Sequence, residues 1–238
     1  MIVEKYNYRP LSRTTVDGKR HYTLPDGSRV PSVTTILDKT KPEEAKAALA
    51  RWRSSVGQER AQQITSEAAN RGTRMHTYLE HYVRHDDMKP LPGNPFAHAS
   101  WFMAGQVILE GLGNINEYWG IEVPLYFSGL YAGTSDCVGV HNGTPAIVDF
   151  KQTNKPKRKE YIGDYFLQLA AYANAHNEMF DTDIRKGVIM MCCKTDTLTD
   201  CILSQPNYLE FIIEGDEFDH WSREWIKRVD QYYSMSRA

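Results

Sequence analysis

The sequence from Gly133 to Lys151 reads GTSDCVGVHNGTPAIVDFK and has the pattern of a β-hairpin. Two apolar-rich runs flank Asn142-Gly143. Both central residues of a type I′ turn need a positive φ, and Asn-Gly is the pair that accepts it most readily. With these two residues as the loop, His141 faces Thr144, which sets the register of the whole hairpin.

That register brings two carboxylates together. It places Asp136 directly opposite Asp149, with Lys151 two residues beyond Asp149 on the same face. Like charges opposite each other destabilise a sheet, so the pair suggests a bound cation. Mg²⁺ and Mn²⁺ take oxygen ligands, and a lysine beside them suits chemistry at a phosphate. The plainer interpretation is a solvated Asp–Lys pair on a half-exposed strand.

Helical patterns precede the hairpin and mixed patterns follow it. Asp17-Gly18 and Asp26-Gly27 mark turns in a β-rich start, and residues 32–37 are either a strand or the entry to a helix. The spacing of apolar residues predicts helices over about 43–60, 61–84 and 96–112, strands over 115–127, 130–140 and 144–151, a helix over 160–179, strands over 184–193 and 208–213 with a further one possible over 198–204, and a helix over 216–233. This order indicates a mixed α/β or α+β fold with a helical N-terminal region.

Composition limits the classes of protein. The chain has 238 residues, 41% hydrophobic and 24% charged, with a formal net charge of -2. A nucleic-acid surface would therefore be a local patch. No apolar run approaches the roughly 20 residues of a membrane span, so we expect no membrane partner. The start, MIVEKYNYRP, resembles neither a signal nor a transit peptide, and we expect a cytoplasmic protein.

Two helices carry further candidate site residues. His76 and Glu80 are four residues apart and can offer an imidazole and a carboxylate to one metal. Gln168 and Tyr172 share a face of the helix after the hairpin and can position a phosphate or the lysine. Taken alone, each pair is equally typical of the polar edge of a packing helix.

A basic loop, TNKPKRK, follows the hairpin. Its candidate phosphate contacts are Lys155, Lys157 and Arg158, followed by Lys159. A solvated run of charges is the alternative. Arg71 and Arg74 lie just before His76 and can add to the same surface.

The four cysteines show no spacing typical of a disulfide framework or a zinc site. They are Cys137, Cys192, Cys193 and Cys201. We expect buried structural thiols and no iron–sulfur cluster, which needs four well-placed thiolates.

Five spaced motifs together resemble the RecB-like branch of the PD-(D/E)xK nucleases. They are Arg71-Gly72-Thr73, then His76 with Glu80, then Gly133-Thr-Ser-Asp136, then Asp149-Phe-Lys151, and last Gln168-Leu-Ala-Ala-Tyr172. Within that branch, PSVTTIL at 31–37, RGTRMH at 71–76 and Lys155-Pro156-Lys157 resemble the group of the mitochondrial genome maintenance exonuclease and its phage and bacterial relatives.

The resemblance implies roles for individual residues. His76, Asp136, Asp149 and the backbone carbonyl of Phe150 would bind Mg²⁺ or Mn²⁺, with Glu80 as a further candidate. Lys151 would be the catalytic lysine, with Gln168 and Tyr172 supporting the site and the DNA. Arg71, Gly72, Arg74, Lys155, Lys157 and Arg158 would contact DNA.

The resemblance also implies a fold and an activity. The fold would be one nuclease domain over 1–238, with a restriction-endonuclease-like sheet core flanked by helices over 113–238 and a mainly helical region over 1–112. The activity would be metal-dependent exonucleolytic cutting of single-stranded DNA ends in recombination, repair or replication. The alternatives are an endonuclease on the same core and a catalytically inactive single-strand-binding protein. Absence of a mitochondrial leader favours a phage or bacterial source.

Two features depart from the family pattern or stay open. Gln152 follows the lysine where the family often has Thr, with Thr153 one residue later. The pairing partner of Glu122 depends on the length of the loop that follows its strand. A two-residue loop at Ser128-Gly129 would pair Glu122 with Ser135, whereas a three-residue loop would pair it with Asp136.

Overall fold

A five-stranded mixed sheet forms the centre of the molecule. The computed structural model describes residues 2–16, 18–194 and 208–235. The strands, which lie in sequence order across the sheet, are β4 (Ile115–Phe127), β5 (Tyr131–His141), β6 (Thr144–Thr153), β7 (Lys186–Cys193) and β8 (Tyr208–Glu214). All neighbouring pairs are antiparallel except β6 and β7, which are parallel and joined by α5 (Gly163–Phe180). The mixed α/β class is confirmed.

The predicted register of the β5–β6 hairpin is confirmed. His141 pairs with Thr144, and the pairing continues to Cys137 opposite Val148. Asn142 and Gly143 have φ values of 47° and 80°, as a type I′ turn requires. Asp136 and Asp149 are the next residues in this register, at the point where the ladder ends.

The β4–β5 connection has the longer of the two predicted loops. Phe127 pairs with Tyr131, so three residues form the loop. Val123 lies opposite Ser135 and Ile121 opposite Cys137. Glu122 is therefore at the position opposite Asp136.

Helices cover both faces of this sheet. α3 (Gln58–His85) and α4 (His98–Glu110) bury Met75, Leu79 and Met103 against Val148 and Phe150. On the other face, α5 and α6 (Gly215–Met235) bury Leu169 and Trp225 with Val138 and Ile147. Alternation along β6 therefore places Asp149 and Lys151 on the α5 face, with Ile147.

The N-terminal part contains a small sheet and two further helices. Strands β1 (Ser12–Val16), β2 (Lys19–Thr23) and β3 (Arg29–Pro31) form an antiparallel sheet, followed by α1 (Val33–Lys39) and α2 (Glu43–Val56). The ambiguous run 32–37 is a helix start, because the Ser32 hydroxyl accepts a hydrogen bond from the Thr35 amide at 3.0 Å. Gly57, at φ 84°, separates α2 from α3 a few residues earlier than the sequence predicts.

Three cysteines are buried free thiols, as expected: Cys137, Cys192 and Cys193. Cys201 and the possible strand over 198–204 lie outside the described residues. Within the described ranges, no helix has both the length and the apolar character that crossing a membrane requires.

Candidate metal centre

Three side chains from different elements converge where β5 and β6 separate. His76 comes from α3, Glu122 from β4 and Asp136 from β5, and one ligand atom of each lies within 4.8 Å of the others. The Nδ1 atom of His76 is 3.5 Å from an Asp136 oxygen and 3.9 Å from a Glu122 oxygen. In the described part of the chain, this is the one such group of three histidine, cysteine or acidic side chains.

The backbone of Phe150 holds two of these side chains in place. Its N–H donates to Asp136 at 2.8 Å, and its carbonyl accepts a hydrogen bond from Nε2 of His76 at 3.0 Å. A carbonyl can only accept, so Nε2 carries a proton. Nδ1 is thereby directed at the two carboxylates, which is how metal-binding histidines are commonly oriented.

Asp149 and Lys151 on β6 form an ion pair beside this group. The Asp149 side chain is 2% exposed, whereas that of Glu122 is 39% exposed. Burial raises the pKa of Asp149 to about 6; Asp136 adds to the rise and Lys151 opposes it. The site therefore has a solvent-accessible carboxylate at Glu122 and a buried one at Asp149.

The charges at the site are strongly coupled. Burial disfavours the charged form of His76, but Asp136 and Glu122 outweigh it and raise its pKa to about 10. Burial likewise disfavours the Lys151 ammonium, but Asp149 and Asp136 keep its pKa above the ordinary value. The His76 imidazolium and the Lys151 ammonium therefore balance the carboxylates at neutral pH. Lys151 is an ammonium group and not a base.

Glu122 has a left-handed backbone conformation, with φ 52°. For a non-glycine residue this conformation costs roughly 1–2 kcal/mol. Strained backbone of this kind is concentrated at functional sites. Its position in the cluster resolves the alternatives that the loop length left open.

Helix α5 contributes a polar face to the same site. The Gln168 amide donates to the Tyr172 hydroxyl at 3.3 Å, and the Lys151 ammonium lies 5.1 Å from the ring centre of Tyr165. Tyr165 was not among the predicted site residues, although it lies one helical turn before Gln168 on the same face. A Cβ atom at Gly133 would lie 2.7 Å from the Tyr172 ring, so this glycine makes room for it.

Arg71 has a role within the protein that the sequence did not reveal. Its side chain is mostly buried and donates to Gln152 at 2.9 Å and to Asn154. Gln152 in turn donates to the Ala68 carbonyl at 3.0 Å. Gln152, which stands where the family often has Thr, therefore connects α3 to the strand that carries Lys151.

The structure does not bring every predicted residue to the metal cluster. Glu80 lies outside the cluster and accepts a hydrogen bond from Arg84 at 2.9 Å. Gly72 would tolerate a Cβ atom at ordinary contact distance from Gln152. Lys159 pairs with Glu217 at 2.7 Å.

The remaining predicted DNA contacts are on the surface. Arg74 is half-buried and donates to the Phe96 carbonyl at 3.3 Å. The basic loop is exposed at Lys155, Lys157 and Arg158, and none of the three forms an ion pair with another described residue.

The donor set fits a divalent cation. The group itself offers one imidazole nitrogen and the oxygens of Glu122 and Asp136. The predicted ligand Asp149 lies outside this group, paired with Lys151, but interacts electrostatically with Asp136. The Phe150 carbonyl accepts a hydrogen bond from His76. A predominance of oxygen donors favours Mg²⁺ or Mn²⁺, and one imidazole is compatible with Mn²⁺.

Three vertebrate proteins with sequences related to this chain share the same name. The chain is 26% identical over 238 aligned positions to mitochondrial genome maintenance exonuclease 1 of Xenopus tropicalis. The alignment covers 94% of this chain and 64% of that protein. The Mus musculus protein of the same name is 26% identical over 213 positions, with 85% of this chain and 59% of that protein covered. The Homo sapiens protein is 24% identical, with 85% and 58% covered. The predicted resemblance to this group is confirmed, and the chain spans less than two thirds of the length of these relatives.

Two other comparisons add little. No family model matches the chain. A solved structure described as the crystal structure of SSO0001 covers 83% of this chain and 75% of its own, with 16% identity and a TM-score of 0.39. A superposition this loose supports no inference about the chain.

Proposed function

We propose that this protein is a Mg²⁺- or Mn²⁺-dependent deoxyribonuclease that acts as an exonuclease on single-stranded DNA ends. The observation that carries the proposal is the convergence of His76, Glu122 and Asp136 beside the Asp149–Lys151 pair. Similarity to proteins named as exonucleases supports the same activity and supports DNA as the substrate.

The cation would be held by His76, Glu122, Asp136 and Asp149, with the Phe150 carbonyl as a further oxygen donor. When bound, it supplies Lewis-acid polarisation of the scissile phosphate and neutralises negative charge that develops there. These residues come from α3 and three adjacent strands, so the fold itself positions the donors.

Lys151 would stabilise the charge that develops as water adds to phosphorus and the bond to the leaving oxygen breaks. A fixed ammonium in a partly buried site is well suited to this task. Asp149 keeps Lys151 charged and oriented, and Tyr165 limits where its side chain can lie.

Gln168 and Tyr172 would support the lysine and the substrate phosphate from α5. The exposed Lys155, Lys157 and Arg158 lie just beyond the carboxyl end of β6 and would bind backbone phosphates without reading sequence.

Digestion of a linear and a circular single-stranded DNA, each with Mg²⁺, Mn²⁺ or EDTA, tests the proposal. We expect degradation of the linear strand with a metal only, and an intact circle, because an exonuclease needs an end. Cutting of the circle would show that the protein is an endonuclease that uses the same site. Binding of DNA without any cutting in either metal would show that the protein is a DNA-binding protein without nuclease activity.

A further inference from the structure

Phe96, which lies outside the candidate metal centre, exposes its aromatic ring to solvent. Phe96 lies in the short 3-10 helix Pro95–Ala97, just before α4, and is 86% exposed. Its N–H donates to the Asn94 side chain at 3.1 Å, and its carbonyl accepts from Arg74 at 3.3 Å. Isolated surface apolar residues are common, but here both backbone groups of the residue are fixed.

The ring borders a positively charged cleft. The cleft has a volume of about 410 Å³, and α3 lines it with Asn70, Arg71 and Arg74. Lys194, the residue after β7, also lines it, and Glu67 is the one acidic residue among the described lining. An aromatic face beside several cationic groups is the combination with which proteins bind single-stranded nucleic acid.

The cleft and the candidate metal centre both include residues of α3. Arg71 forms part of the cleft wall and donates to Gln152, the residue after Lys151. His76 is five residues after Arg71 on the same helix, or about 7.5 Å along its axis. A strand whose phosphate is at the metal centre would follow α3 over this distance to reach the cleft.

We propose that Phe96 is a stacking platform for a base of the single-stranded DNA, with the adjoining phosphates bound by Arg74 and Lys194. This inference rests on the proposed function, because it concerns the path of the same substrate. Stacking accepts any base, since every base has a π face. It would hold the strand in line with the metal centre without sequence preference.

Equilibrium binding of a fluorescently labelled oligothymidine in EDTA tests the proposal without cutting. We expect Phe96→Ala and Phe96→Leu to weaken binding by roughly 5- to 150-fold and Phe96→Trp to retain wild-type affinity. Leu109→Ala is the matched control, because Leu109 is 82% exposed on the adjoining helix α4 and is not aromatic. An unchanged melting temperature shows that each variant is folded.

The salt dependence separates stacking from charge. Phe96→Ala should leave the slope of log affinity against log salt unchanged, whereas Arg74→Ala should reduce it by about 0.7, the value for one phosphate contact in single-stranded DNA. Wild-type affinity in Phe96→Ala or in Phe96→Leu would overturn the stacking role. If the wild-type protein still degrades linear DNA in that case, the proposed function stands and only the role of Phe96 fails. A wild-type protein that neither binds nor cuts DNA would overturn both.

Discussion

His76 on α3 lies 3.5 Å from Asp136 on β5, and this contact joins the long helix to the sheet. Without a cation, the imidazole balances the carboxylate, and its pKa is raised to about 10 against the effect of burial. A divalent cation would take over that balance. Cation binding should therefore change the stability of the protein measurably.

We expect Mn²⁺ at about 100 times its dissociation constant to raise the melting temperature by about 5–10 °C, because ligand that binds only the folded state stabilises it by about 2.7 kcal/mol. In His76→Ala, a loss of about 100-fold in affinity reduces the rise to about 1–2 °C. Differential scanning calorimetry with Mn²⁺ and with EDTA measures both. His85→Ala, an exposed histidine on the same helix, should respond like the wild type. An equal rise in His76→Ala would exclude His76 from the site.

Glu122→Gly should separate stability from activity. Glycine accepts φ 52° without strain, so the unfolding free energy should stay the same or rise by up to about 1 kcal/mol. DNA cutting at limiting Mg²⁺ should fall at least about tenfold, since outer partners of metal ligands alone cost that much, and excess Mg²⁺ should partly restore it. Asp181→Gly, at φ 51° on the C-terminal side of α5, is the control and should keep full activity. Unimpaired cutting by Glu122→Gly would remove Glu122 from the cation site.

Gly133→Ala should disturb the site from within the sheet. The added Cβ would lie 2.7 Å from a ring carbon of Tyr172, and overpacking of this kind costs about 1–3 kcal/mol. Urea unfolding measures the loss, and cutting should fall with it because Tyr172 must move. Gly113→Ala meets no atom within 4 Å and should change stability by less than about 0.5 kcal/mol. Equal stability of the two variants would argue against close packing at Gly133.

His176 should make part of the stability depend on pH. It is fully buried, and its two ring nitrogens contact Tyr8 at 2.9 Å and Thr182 at 2.8 Å. Burial, with a smaller effect of Lys5, lowers its pKa to about 4. A histidine with a lowered pKa in the folded state contributes fully above its unfolded pKa of about 6.5 and loses that contribution as the pH falls toward 4.

The comparison of wild type with His176→Gln isolates this effect from the other titrating groups. The difference in unfolding free energy should shrink by up to about 1.4 kcal/mol per pH unit between pH 6.5 and 4. Urea titrations across that window measure it. A difference that stays constant with pH would show that His176 does not resist protonation in the folded protein.

Local patterns were sufficient to predict much of the sheet and the two aspartates. Asn142-Gly143 defines a two-residue loop, and the alternation of side chains then leaves one register that places Asp136 opposite Asp149. Helices α3, α5 and α6 follow from apolar residues at helical spacing, because each buries one continuous face.

Long-range packing decided the rest of the site. The sequence near Ser128 does not specify whether the loop has two or three residues, so the position of Glu122 stayed open. Arg71 and Gln152 are 81 residues apart, and no local signal links them. The position of Phe96 depends on how the segment before α4 packs against Arg74 of α3, which spacing alone does not reveal.

The central claim is that divalent cations act with Asp149 and Lys151 to cut DNA. It is tested most directly by digesting an end-labelled single-stranded oligonucleotide with Mg²⁺ or EDTA, using wild type, Asp149→Asn and the control Asp230→Asn, which changes an exposed residue of α6. We expect cutting by the wild type and the control in Mg²⁺ only, and a rate at least about 100-fold lower for Asp149→Asn. Cutting that persists in EDTA, or wild-type cutting by Asp149→Asn, would contradict the account.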